Sequence, residues 1–201
     1  ASDGEVEDYP VSILPTVTLS LADTPLAEAG GTATVTATLS AAAGVPVTVD
    51  LAFGGTATLT SDYALGATQI VIPAGSTTGS ITLTAVQDAL DEADETIVVD
   101  ITAVTNASES GEQQVTPTIT DDDPEPTVTL GGGGTLSEAG GTVTVQAIVS
   151  AVSGRDVTVT LGFSGTATLG SDYTPSDTTV VIPAGRTYAS VILTAVQDSL
   201  D

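Results

Sequence analysis

The chain repeats itself. Residues Leu26–Asp91 align with Leu136–Asp201 at a constant offset of 110 residues, without a gap, and 41 of the 66 pairs are identical. EAGGT at 28–32 returns at 138–142, GTATL at 55–59 at 165–169, and SDY at 61–63 at 171–173. IPAG at 72–75 returns at 182–185, and LTAVQD at 83–88 at 193–198. Solenoid repeats run roughly 20 to 50 residues, because each is one supersecondary unit that cannot bury a face alone. A period of 110 is the size of a domain that closes its own core. The chain is therefore read as two domains in tandem.

Within one copy the apolar residues recur every second position, the period of a strand with one buried face. Val17, Leu19 and Leu21 form one such set, then Ala33, Val35, Ala37 and Leu39, then Val45, Val47, Val49, Leu51 and Phe53. Ile70 with Ile72, Ile81 with Leu83 and Ala85, Ile97 with Val99 and Ile101, and finally Val115 with Ile119 complete the series. Thr occupies many of the alternate positions, as suits a pleated, half-buried surface. Gly, Pro, Asn and Asp separate the runs, and no stretch shows a 3.6-residue apolar period. About seven short strands per copy predict an all-β, immunoglobulin-like antiparallel sandwich, repeated in tandem.

The boundaries follow from the same pattern. Residues 16–123 make a complete module, and Asp121-Asp122-Asp123-Pro124-Glu125-Pro126 cannot continue a central strand. Residues 124–127 read as a short linker, and 128–201 as a second module without counterparts of its last two strands. Residues 1–15 read as an acidic linker or as a donor segment for a neighbouring sandwich. A sandwich short of two strands exposes apolar core and unpaired edges, so either further sequence or another chain is expected to complete it.

Charge narrows the function. The formal net charge is −24, the only basic residues are Arg155 and Arg186, and there is no His, Cys, Met or Trp. Nucleic acid and anionic membranes need clustered Lys and Arg, so neither is an expected partner. No apolar run approaches the roughly 18 residues of a membrane-spanning helix. Without His or Cys, nucleophile–base pairs are not available. Glycoside hydrolysis needs only two carboxylates, but a sugar cleft is usually lined by aromatics. The chain has only four Tyr and two Phe, and four of these six, Phe53 with Phe163 and Tyr63 with Tyr173, recur at repeat positions that suggest packing. The chain is not expected to be an enzyme. Tyr63 and Tyr173 suit sandwich corners, and Gly131–Gly134 lacks the Lys and helix of a phosphate loop.

Ten acids of the first copy fall in four places: Glu28, Asp62, the run Asp88, Asp91, Glu92, Asp94 and Glu95, and Asp121–Asp123. In a sandwich, alternate loops emerge at the same end, which would gather these carboxylates. Like charges held together repel, and a hard divalent cation relieves that; Ca²⁺ takes six to eight oxygens in flexible geometry. Glu138, Asp172 and Asp198 recur at the same offset in the second copy. The competing reading is a set of solvated surface acids on an acidic protein.

EAGGTATVTATLS, GTATLTSDY, IVIPAG, the acidic pattern from Asp88 to Thr96 and the closing TDDDP together resemble the Calx-β domain. The resemblance covers 16–123 and all of the second copy present. It implies a seven-stranded sandwich that binds Ca²⁺ through loops at one end. Matched motif by motif, it implies Glu28, Asp62, Asp88, Glu92, Asp121, Asp122 and Asp123 as ligands, with the Leu90 carbonyl, and with Glu95 as a lesser candidate. Gln87 stands where calcium-sensing members often carry another acid, which argues for one to three ions. In the second copy it leaves Glu138, Asp172 and Asp198, a weak or empty site. The implied function is a calcium-binding structural or adhesive repeat of a larger extracellular surface protein or fibre. Its neighbours would be modules of the same protein or identical chains. A filament subunit completed in trans and a non-catalytic accessory module of a secreted hydrolase are the alternatives.

Overall fold

The computed structural model describes residues 14–199, so the reading of 1–15 as linker or donor falls almost wholly outside the described residues. The chain forms two compact units. Among the described residues, one contains those up to Gln87 together with Asp94–Thr120, and the other contains Asp88–Ala93 together with those from Asp121 onward. No helix occurs among the described residues.

The first unit is built from β1 (Thr16–Ala22), β2 (Leu26–Ala27), β3 (Thr32–Leu39), β4 (Val47–Gly55), β5 (Tyr63–Leu65), β6 (Gln69–Ile72), β7 (Thr78–Ala85), β8 (Glu95–Thr105), β9 (Ser108–Glu109), β10 (Gln114–Val115) and β11 (Thr118–Thr120). One sheet runs β5-β7-β3-β1-β9; the other runs β2-β11-β8-β4-β6, with β10 also on β8. The period-two sets face each other across one core. Ala33, Val35, Ala37, Ile81 and Leu83 come from the first sheet, Val47, Val49, Ile70, Ile72, Ile97 and Val99 from the second, and all are buried. Register aligns these sets, with Val35 opposite Ile81 and Leu21 opposite Val35. A one-residue slip would turn every one of them to solvent.

Three local readings change. Val45 lies outside β4 and is 51% exposed, because Pro46 has no N–H to give to a ladder. Val115 and Ile119 are not one strand: Pro117 interrupts them, and β10 and β11 pair separately with β8. A bulge between Asp50 and Leu51 shifts the β4–β8 register, and beyond it Ile101 is only partly buried. Tyr63 opens β5, 2% exposed and opposite Ala85.

The second unit contains β12 (Val128–Gly132), β13 (Thr142–Val149), β14 (Val157–Thr160), β15 (Tyr173–Pro175), β16 (Thr179–Ile182) and β17 (Tyr188–Ala195). Its sheets are β12-β13-β17-β15 and the pair β14-β16. Ala147, Val149, Val180, Ile182 and Val191 form its buried core. Val157 and Val159 are only partly buried, whereas their repeat equivalents Val47 and Val49 are fully buried. The difference lies in the neighbours: β4 is flanked by β6 and β8, and β14 pairs with β16 alone among the described residues. The glycine run closes β12 and then turns with positive φ at Gly132, Gly133 and Gly134, a path that side-chain-bearing residues resist.

Candidate metal centre

In the first unit, β2 leaves the sheet of β1 and β3 and pairs parallel with β11, Ile119 opposite Leu26. That switch brings Glu28 to the end of β11, where its backbone N–H donates to the Thr120 carbonyl at 3.1 Å. The Glu28 side chain is buried, with 6% exposure. Asp62 caps its own turn: the Thr58 N–H donates to its Oδ2 at 2.5 Å, and its N–H donates to the Thr58 carbonyl at 2.9 Å. Its carbonyl accepts the Val86 N–H at 2.9 Å, tying the turn to the end of β7. Asp62 and Glu95 each offer a carboxylate oxygen within 4.8 Å of the other, and both are half-buried. Neither Arg of the chain belongs to this unit.

The second unit holds the remaining acids of the first repeat. Asp88 folds an Asx turn, its Oδ1 accepting the Leu90 N–H at 2.8 Å. Asp88 and Asp123 also bring carboxylate oxygens within 4.8 Å of each other. Burial raises the Asp123 carboxyl above its ordinary value, and the charges of Asp121, Asp122, Asp88 and Asp91 raise it further. Four carboxylates thus act on a fifth. Leu90 and Glu92 are half-buried, and Asp122 is exposed.

The donor set fits calcium. Two oxygens on one Ca²⁺, each at about 2.4 Å, stand at most about 4.8 Å apart, the limit met by both pairs. The donors are all oxygen, and without His or Cys the set does not suit the softer transition metals.

In the second repeat the local scaffold recurs. The Thr168 N–H donates to Asp172 Oδ2 at 2.6 Å, and the Val196 N–H to the Asp172 carbonyl at 2.9 Å. Glu138 and Asp172 line an open cleft with Leu136, Tyr173 and Val196, whereas Asp198 is exposed away from that lining. Among the described residues, Glu138, Asp172 and Asp198 form no three-acid group of metal-binding spacing.

Two features escaped sequence reasoning. Glu95, the lesser candidate, stands beside Asp62, because Asp62 follows β4 and Glu95 opens β8, which pairs with β4. Asp91 is buried against Ser153 rather than turned toward solvent. Its signal was present in the repeat alignment, where Ala43 and Val45 are replaced by Ser153 and Arg155.

Compared with known families, residues 14–123 and 121–201 each match the family model of the Calx-beta domain. Among solved structures, CBD12 from CALX1.2 is 16% identical, with 85% of this chain and 71% of that chain covered and a TM-score of 0.44. The apo form of the Calx CBD1 domain is 17% identical, with 55% and 99% covered and a TM-score of 0.47. No curated protein matches the chain.

Proposed function

Because the chain belongs to the Calx-beta family of non-catalytic calcium-binding domains, we propose that it is a calcium-binding structural repeat of a larger extracellular surface protein or fibre. The observation that carries this reading is the Asp62–Glu95 pair, two carboxylates within 4.8 Å in a unit without a cationic side chain. Divalent metal converts that repulsion into cross-linking. The ligands are Glu28, Asp62, Asp88, Glu92, Glu95 and Asp121–Asp123, with the Leu90 carbonyl. Glu138, Asp172 and Asp198 form at most a weak second set. Tandem copies of one module and acidic loops without Lys support a spacer that extracellular calcium stiffens, with other modules of the same protein as neighbours.

Thermal melts of the 1–201 chain in EDTA, in millimolar CaCl₂ and in MgCl₂ test the reading. Ligand at 100 times Kd stabilises by about 2.7 kcal/mol when only the folded state binds. A calcium-selective rise of several degrees, lost in Glu92→Ala or Asp122→Ala, is the expected result. Equal midpoints in all three buffers would leave the acids as solvated surface.

A filament subunit is the second reading. Val157 and Val159 are half-buried on β14, whose second edge has no strand among the described residues; a strand added from another chain would cover that edge. A monomeric mass by light scattering across a wide concentration range would refute it.

A further inference from the structure

The second unit contains a polar junction built on Asp91, an acid that is not among the proposed calcium ligands. Asp91, a residue of the first repeat's acidic loop, is 6% exposed, and Ser153, of the second repeat, is 2% exposed. The Ser153 hydroxyl donates to Asp91 Oδ2 at 2.6 Å and approaches the Asp91 carbonyl at 3.3 Å. The Gly154 N–H donates to that carbonyl at 2.9 Å, so Asp91 and Ser153 form a one-residue parallel bridge. Ser153 Oγ in turn accepts the Arg155 N–H at 3.0 Å, which fixes the hydroxyl to point its proton at Asp91. The Arg155 guanidinium reaches Asp91 Oδ1 at 3.7 Å and Glu125 at 3.9 Å.

Space is matched as closely as charge. A Cβ at Gly154 would stand 2.8 Å from Glu92 Cγ and 3.3 Å from the Asp91 carbonyl oxygen, so a larger residue would have to displace the Glu92 side chain. The first repeat has the same hairpin scaffold: Gly75 N–H donates to the Ala43 carbonyl at 2.8 Å, as Gly185 N–H does to Ser153 at 2.9 Å. Its loop, however, reads Ala43-Gly44-Val45. It has neither hydroxyl nor cation, and a Cβ at Gly44 would meet nothing within 4 Å. One scaffold thus carries two different surfaces.

We propose that Ser153-Gly154-Arg155 is a docking socket for the acidic loop of the repeat that precedes it, keyed by the Asp91 side chain, and that Ala43-Gly44-Val45 is its unkeyed form. The socket recognises an aspartate whose carboxylate takes one hydroxyl donor and faces one guanidinium. In an array, it dictates which repeats seat the loop of the one before. Asp91 is not itself among the proposed calcium ligands, although its neighbours Leu90 and Glu92 are, so the socket is tested without metal.

Amide hydrogen exchange on the 1–201 chain in excess EDTA tests it. Ser153→Ala with Arg155→Val gives the second repeat the first repeat's loop. Losing a hydrogen bond to a charged group shifts a local open–closed equilibrium by about tenfold or more. The amides of Gly154 and of residues 90–93 are expected to exchange at least about tenfold faster, with β13 and β17 unchanged. Unchanged protection of Gly154 overturns the proposal. Should β13 and β17 also lose protection, Asp91→Asn and Asp91→Ala decide it. Asparagine keeps the acceptor for Ser153 and preserves most protection, alanine does not, and equal protection in the two overturns the socket.

Discussion

Replacing Glu95 by Gln separates a metal site from solvated acids by the sign of its effect. The Glu95 and Asp62 carboxylate oxygens lie within 4.8 Å. At that separation two unit charges repel by about 0.9 kcal/mol at a dielectric of 80 and about 3.5 kcal/mol at 20. Both groups are half-buried but reach water, which places the net repulsion near the lower figure. In chelator, Glu95→Gln therefore stabilises by about 1 kcal/mol. For a unit of this size that raises the midpoint by about 4 to 8 °C. In saturating calcium the same change deletes a ligand, where charge-assisted contacts contribute about 1.5 to 3 kcal/mol, and the midpoint falls below that of the parent chain. Calorimetry at low ionic strength, in EDTA and in CaCl₂, reads both signs, since salt screens the first effect. A shift of the same sign in both buffers, or no shift in either, refutes a calcium ion between these two residues.

Two further expectations use the repeat and the buried tyrosine. Leu83 and Leu193 are repeat equivalents, the first fully buried and the second half-buried. Leu83→Ala should cost about 3 to 5 kcal/mol and Leu193→Ala about 1 to 2; equal costs in urea unfolding would show that the second unit's core is as closed as the first. Burial raises the Tyr63 phenol above its ordinary value, and Asp62 adds to it. As pH climbs past about 10, the unfolded chain gives up the Tyr63 proton while the folded chain keeps it, so stability falls with rising pH. Phenolate absorbance should show one late-ionising tyrosine that Tyr63→Phe removes; simultaneous ionisation of all the tyrosines would contradict the burial.

The legible part of the fold is the part written in local alternation. Ala33, Val35 and Ala37 announce a buried face because strand side chains alternate, and all three are buried with no exposed surface. The Val45 and Val115–Ile119 readings failed where Pro46 and Pro117 withdrew a ladder donor, a local rule that the alternation alone does not weigh. The candidate ligands were legible as residue types at motif spacing, but their partners were not. Asp62 meets Glu95 because the strands beside them pair, and that pairing is a property of the sheet.

The amino-acid sequence alone determined that this protein is two copies of one β-sandwich, rich in carboxylates and nearly without cations. Period, composition and self-similarity are all carried by the chain itself. Tertiary structure decided how identical segments differ. Val-Thr-Val is fully buried at its valines in one repeat and half-buried in the other, because burial depends on which strand lies alongside. It also decided that Asp91 meets Ser153, 62 residues away. A contact between loops that far apart exists only once both sheets have fixed where those loops end.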